Sequence, residues 1–251
     1  MPGAEPLFGR RSGPSRAASE SGRMRVISIE SLSKHYHEPV LVEATHIFPS
    51  GSVTFVMGPN GAGKTTLFKC LLGLEGYSGT ILFDGLPLRS VRHDVVPILD
   101  DTPFYPALSG RRNLDLLLGR RVDPQEADHA WGLGGRVDPR LLDRPVKGYS
   151  SGERKRLAIC MALVSKARYL LMDEVASGLD LFTMDAVVAA IQLLAPDTTV
   201  VASGHQFDFY ARVVDHVVAL TDGTLRSVDL DDTSAVSLEA TFRSLVAPHS
   251  G

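Results

Sequence analysis

The chain has 251 residues, of which 44% are apolar and 22% charged, and its formal net charge is -3. That is enough chain to bury a core in one large domain or two small ones. The slight negative balance supplies no basic field that would make nucleic acid the partner. Cys70 and Cys160 stand far apart in apolar runs, a pattern of buried, reduced thiols rather than a disulfide or metal pair. No run approaches the about eighteen apolar residues of a membrane span.

Residues 1–23, "MPGAEPLFGRRSGPSRAASESGR", are rich in Pro, Gly, Ser, Ala and Arg, which predicts a disordered tail. Met24 is a second candidate for the start of translation. "RVISIESLSKHY" opens with β-branched alternation and predicts a strand. A turn at Pro49 to Gly51 leads into an apolar strand over Val53 to Met57, then a Gly-rich loop, then a helix from about Lys64 to Leu72. "GTILFDG" and "VVPILDD" predict short strands.

From Ser109 to about Ser165 helical pieces dominate, broken by clusters such as "GLGGRVDPR". Leu114, Leu117 and Leu118, at i, i+3 and i+4, predict one apolar stripe on a helix. We place a helical subdomain over about 103–165. "RYLLMDE", "TTVVASGH" and "HVVALTDGTL" predict further strands, the last two separated by the helical "QFDFYARV". Strands alternating with helices predict an α/β fold with a mixed or parallel sheet. No internal repeat is present.

"GPNGAGKT", Gly58 to Thr65, fits G-x-x-x-x-G-K-[ST]. Gly58, Gly61 and Gly63, with Pro59, Asn60 and Ala62 between them, let the backbone N–H groups turn inward around an anion. The helix N-terminus adds partial positive charge. Lys64 supplies a full charge for β/γ-phosphate oxygens, Thr65 a hard oxygen for Mg²⁺, and Thr66 follows in the first turn. Binding without hydrolysis stays open at this level.

"YLLMDE" ends an apolar strand in two acids. Asp173 is the candidate metal ligand and Glu174 the candidate base for the attacking water. "SGLD", Ser177 to Asp180, makes Asp180 the N-cap of the helix "LFTMDAVVAAIQLL". His205 follows the strand "VVAS" and is the candidate contact to the γ-phosphate. In "GYSSGERKR", Ser150, Ser151 and Gly152 open a helix whose N-terminus suits an anion. Leu157, Met161 and Val164 would anchor that helix.

The ordered series "GPNGAGKT", "YSSGE", "YLLMDE", "SGLD", "SGH" resembles the ATP-binding subunit of an ABC transporter. The resemblance spans about Arg25 to Val246. It implies a P-loop NTPase core, an N-terminal antiparallel β subdomain and a small helical insertion. It also implies ATP and Mg²⁺ as cofactors, and a head-to-tail homodimer or heterodimer in which ATP lies between the phosphate loop of one domain and Ser150, Ser151, Gly152 and Glu153 of the other. Tyr36 takes the place of the adenine-stacking aromatic, His205 that of the switch histidine, and Asp180 belongs to the cross-dimer loop. The implied partner is a separate transmembrane permease subunit, which would hold this chain at the cytoplasmic face of the cell membrane.

Four departures stand out. Tyr149, Ser151 and Glu153 differ from the commoner "LSGGQ". Val175 replaces a proline after the glutamate. Asp100 or Asp101 stands where a glutamine that contacts Mg²⁺ is expected. The insertion is short, and the permease surface is expected around Asp100 to Leu118. The terminal "SLEATFRSLV" resembles exporter subunits, so export is the expected direction. A soluble ABC-type ATPase without a transport role is the alternative.

Overall fold

The computed structural model describes residues 26–99, 102–133, 138–230 and 232–246. The expected tail, 1–23, the last residues, 247–251, and both Asp100 and Asp101 lie outside them. In chain order the elements are β1 (Ile27–His35), β2 (Pro39–Phe48), β3 (Ser52–Met57), α1 (Lys64–Leu71), β4 (Ser78–Phe83), α2 (Leu88–Val91), β5 (Val95–Ile98), α3 (Gly110–Leu117) and α4 (Pro124–Gly132). They continue with α5 (Ser151–Ser165), β6 (Tyr169–Asp173), α6 (Leu181–Leu194), β7 (Thr199–Ser203), α7 (Phe207–Tyr210), β8 (His216–Thr221), β9 (Thr224–Val228) and α8 (Ala235–Val246).

Two sheets form. β2-β1-β4 is antiparallel, and β5-β6-β7-β3-β8-β9 is parallel except for β9. The central strands β3, β6 and β7 are buried along their whole length, on both faces of the sheet, which is why they read as continuous apolar runs. Alternate side chains enter different cores. Val53, Phe55 and Met57 face the helices α5 and α6, while Val56, Leu171 and Val201 face α1 and the small sheet. The fold is α/β with an antiparallel N-terminal sheet, as expected.

One patterning expectation fails. Of the expected stripe, Leu114 is buried and Leu118 is half-buried against the core, but Leu117 is 38% exposed. Helix α3 turns Asn113 inward instead. Its Oδ1 accepts from Tyr105 N at 2.7 Å, and its Nδ2 donates to the Tyr105 and Ser109 carbonyls at 3.1 and 3.0 Å. A fully satisfied amide can be buried, and Asn113 sits in the core beside Leu114 while Leu117 stays at the surface. The expected anchors Leu157, Met161 and Val164 on α5 are all buried.

The parallel strands end together. The loops after β3, β6 and β7 therefore meet at one sheet edge, where open α/β sheets collect ligands.

Candidate nucleotide site

β3 delivers the chain into the phosphate loop between two parallel neighbours. Gly58 is required for packing: a Cβ there would collide with the Leu220 carbonyl oxygen of β8. Gly61 and Gly63 are required by conformation, at φ 82° and 101°, a region that L side chains disfavour. Gly63 also lies under the β1–β2 hairpin, where a Cβ would come within 2.8 Å of Val40 Cγ1. The loop closes with Ala62 N donating to the Pro59 carbonyl at 3.1 Å.

A cleft of about 320 Å³ is lined by Val40, Asn60, Gly61, Gly63, Lys64, Thr65, Thr66, Asp173, Glu174 and His205. A second cavity, about 420 Å³, lies at the other end of the strands around His46, Asp215 and His216. The smaller cleft carries the converging charge and glycine chemistry, so it is the functional candidate.

Lys64 is nearly buried, and its Nζ donates to the Gly58 and Pro59 carbonyls at 2.7 and 3.1 Å. Burial pushes its pKa down, against an upward pull from Glu174 and Asp173. A polyphosphate at this ammonium would supply negative charge in place of the hydration that burial removes. Thr65 Oγ1 donates to Asp173 Oδ2 at 2.8 Å. The other oxygen, Asp173 Oδ1, accepts from Ser203 Oγ, and the Ser203 carbonyl accepts from the buried Tyr210 hydroxyl. The carboxylate is thus held from both sides.

Glu174 sits at φ 54°. Its N–H donates to the Ser203 carbonyl at 3.0 Å, and its carbonyl accepts from Ser177 N at 3.1 Å. This turn aims the side chain at the cleft, where Glu174 Oε1 lies 3.4 Å from His205 Nε2. One carboxylate and one hydroxyl converge at Thr65 and Asp173, and among the described residues no group of three metal-ligating side chains stands together. That sparse oxygen set fits Mg²⁺, whose remaining positions are ordinarily filled by phosphate and water.

The second set of expected residues lies elsewhere: Ser150, Ser151, Gly152, Glu153 and Asp180 do not line the cleft. Ser150 is the N-cap of α5. Its Oγ accepts from Glu153 N at 3.2 Å, and Glu153 Oε2 accepts from Ser150 N at 2.6 Å. This reciprocal capping box explains Glu153 locally, as a stop on the helix end. Ser151 is exposed, and Gly152 faces Thr183 at the start of α6. Asp180 caps α6 and accepts from Thr183 N and Thr183 Oγ1, both at 2.9 Å. These bonds, led by the backbone N–H, hold its carboxyl below the ordinary range.

Tyr36 is 51% exposed at the β1–β2 turn, with Lys34 Nζ 4.7 Å from its ring centroid, and it does not line the cleft. Val40 from the same hairpin does. Two further residues were not read from the sequence. Lys155, buried inside α5, donates to the Glu174 carbonyl at 3.0 Å and to the Ser177 carbonyl. It ties the second set of residues to the first. In the sequence Lys155 stands in the charged run "ERKR", where nothing sets it apart from its neighbours. Ser203, the last residue of β7, had none beyond being a hydroxyl at a strand end.

The fold and this cleft define a phosphate-loop protein of the mixed α/β class. The chain matches the ABC transporter family over residues 42–177. It is 35% identical to a molybdenum import ATP-binding protein, ModC, of Thiobacillus denitrificans, over 74% of this chain and 55% of that one. It is 32% identical to a cobalt import ATP-binding protein, CbiO, of Salmonella typhimurium, over 76% of each. The chain thus spans about half the length of the molybdenum relative. A solved ATP-binding subunit of an ABC transporter superposes with TM-score 0.76 at 22% identity, covering 88% of this chain and 99% of that one. A bacterial Atm1-family ABC exporter with ATP bound superposes with TM-score 0.72 at 22% identity, over 91% of this chain and 42% of that one. Both likenesses are of fold. The chain belongs to the ABC transporter family, as an ATP-binding domain.

Proposed function

We propose that this chain binds and hydrolyses ATP as the energy-coupling subunit of a membrane transporter, working as a head-to-tail pair of ATP-binding domains. The supporting observation is the separation of two phosphate-suited surfaces on one chain. The cleft holds Lys64, Thr65, Asp173, Glu174 and His205, while Ser150, Ser151 and Gly152 present a helix N-terminus outside it. A second domain brings its own helix N-terminus to the phosphates held in the first.

In this reading the loop Gly58–Lys64 surrounds the β- and γ-phosphates, and Thr66 borders them. Thr65 and Asp173 would hold Mg²⁺, which supplies charge neutralisation at the phosphate oxygens. Glu174 accepts the proton of the attacking water, and His205 orients the γ-phosphate and that water. Asp180 and Glu153 shape the facing helix ends. Tyr36 stacks on the base, and Asp100 or Asp101, both outside the described residues, is the candidate for a further metal contact on the resemblance alone.

The expectation of export has no support from the two sequence relatives above, each of which is named as an import ATP-binding protein, and the exporter superposes at 22% identity, a likeness of fold alone. Import replaces it as the proposed direction. Their cargoes differ, so the substrate is set by the membrane partner. Among the described residues no helix is long and apolar enough to cross a membrane; attachment to the cytoplasmic face would run through a permease subunit.

The test is ATP binding and hydrolysis by the purified chain, and recovery of partners from native membranes. Lys64→Ala should lose nucleotide affinity, and a multi-span membrane protein should co-purify. Full ATP affinity in Lys64→Ala would overturn the site. Recovery of ribosomes with no membrane protein would overturn the transport role.

A further inference from the structure

His205 lies in the short connection between β7 and α7, and its side chain is 36% exposed. Glu174 Oε1 lies 3.4 Å from His205 Nε2, a contact that fixes one atom and not the plane of the ring. The plane has a second neighbour. Phe242, on the C-terminal helix α8, places its ring centroid 5.5 Å from that of His205 at an interplanar angle of 79°. T-shaped contact is a favoured geometry for such rings.

Phe242 is itself held. Its ring lies 5.4 Å from Phe207, and Phe207 lies 6.4 Å from Phe55 of β3, the strand that delivers the phosphate loop. The wholly buried Leu238 anchors the same helix one turn earlier. An aromatic path therefore runs from β3 through α7 and α8 back to the imidazole.

We infer that Phe242 is a positioning residue for His205, so that helix α8 belongs to the hydrolysis machinery. The inference rests on the proposed role of His205. Losing the ring leaves the imidazole free to rotate away from the Glu174 side of the cleft. ATP binding is left intact, because Phe242 is not among the residues lining the cleft. Displacing α8 would have the same effect.

Steady-state ATPase measurements on Phe242→Leu, Phe242→Tyr, His205→Ala and the double variant test it. Leucine keeps the apolar bulk and loses the ring; tyrosine keeps the ring. Phe242→Leu should lower kcat about tenfold with KM within about twofold, as misplacement of a positioned group does. Phe242→Tyr should restore kcat. The double variant should be no slower than His205→Ala. In the wild-type chain the His205 ring protons should carry a ring-current NMR shift that Phe242→Leu removes. A wild-type kcat in Phe242→Leu, losses that multiply in the double variant, or an unchanged His205 shift would overturn the inference while leaving the ATPase reading intact. A His205→Ala variant as fast as wild type would overturn the role of His205 and the inference with it.

Discussion

Ser203→Ala removes one hydroxyl, and the structure sets its cost. Ser203 is fully buried and Asp173 is 7% exposed, so water cannot readily replace the bond from Ser203 Oγ to Asp173 Oδ1. Losing a donor to a buried charged group costs about 1.5–3 kcal/mol. For a chain of this size each kcal/mol moves the midpoint by roughly 2–4 °C, so thermal unfolding should fall by about 4–8 °C for a 2 kcal/mol loss. Thr65 donates to the other oxygen of the same carboxylate, but it is exposed. Water can take its place, and Thr65→Ala should cost less than about 1 kcal/mol. Calorimetry or circular dichroism without nucleotide should rank Ser203→Ala well below Thr65→Ala in stability. The Mg²⁺ requirement of ATPase activity should show the reverse order, with Thr65→Ala the more impaired. If Ser203→Ala melts within about 1 °C of wild type, or if Thr65→Ala is the less stable of the two, the account of how Asp173 is held is wrong.

At the capping box, Glu153→Gln should melt close to wild type, because an amide also accepts from Ser150 N, whereas Glu153→Ala should lose about 0.3–1.5 kcal/mol. Thermal unfolding of the pair separates cap from charge. Asp180 is held below the ordinary carboxylate range, chiefly by Thr183 N–H. Its contribution to stability is therefore present above the unfolded carboxylate pKa and fades as the pH falls. Asparagine caps without titrating. The stability gap between wild type and Asp180→Asn should close in acid, as a pH series of melts would show; a gap that widens in acid would contradict it. Burial pushes the Cys160 thiol up to about 12 and raises Cys70 as well. Neither should react with a disulfide reagent at pH 8 until the chain is unfolded, and rapid labelling of the native chain would contradict their burial.

The site was largely legible in sequence because its chemistry is local. A tight anion loop needs its glycines and lysine within a few residues, and an apolar strand that ends in Asp173 and Glu174 announces a sheet edge. What was not legible depends on distant chain. Gly58 is demanded by the carbonyl of Leu220 on another strand, a reason no local pattern contains. Lys155 and Ser203 act on Glu174 and Asp173 across the sheet edge. The leucine stripe broke at Leu117 because Asn113 found four backbone hydrogen bonds in the turn before α3, which hydropathy counting ignores. Glu153 was read as a departure in the phosphate-facing turn, and its capping partner lies only three residues away. The direction of transport was inferred from the terminal helix, which says nothing about cargo movement.

The central claim is that one chain carries half of each of two ATP sites. Glu174→Gln keeps the cleft and removes the proposed base, so the ATP-bound pair should persist. Light scattering with Mg²⁺ and ATP should show the variant at twice the mass of one chain if it pairs with itself, with hydrolysis lowered at least about 100-fold. In the heterodimer arrangement the same doubling appears only when the partner ATP-binding chain is co-expressed. Hydrolysis at the wild-type rate, or a single-chain mass under ATP with and without that partner, would contradict the account.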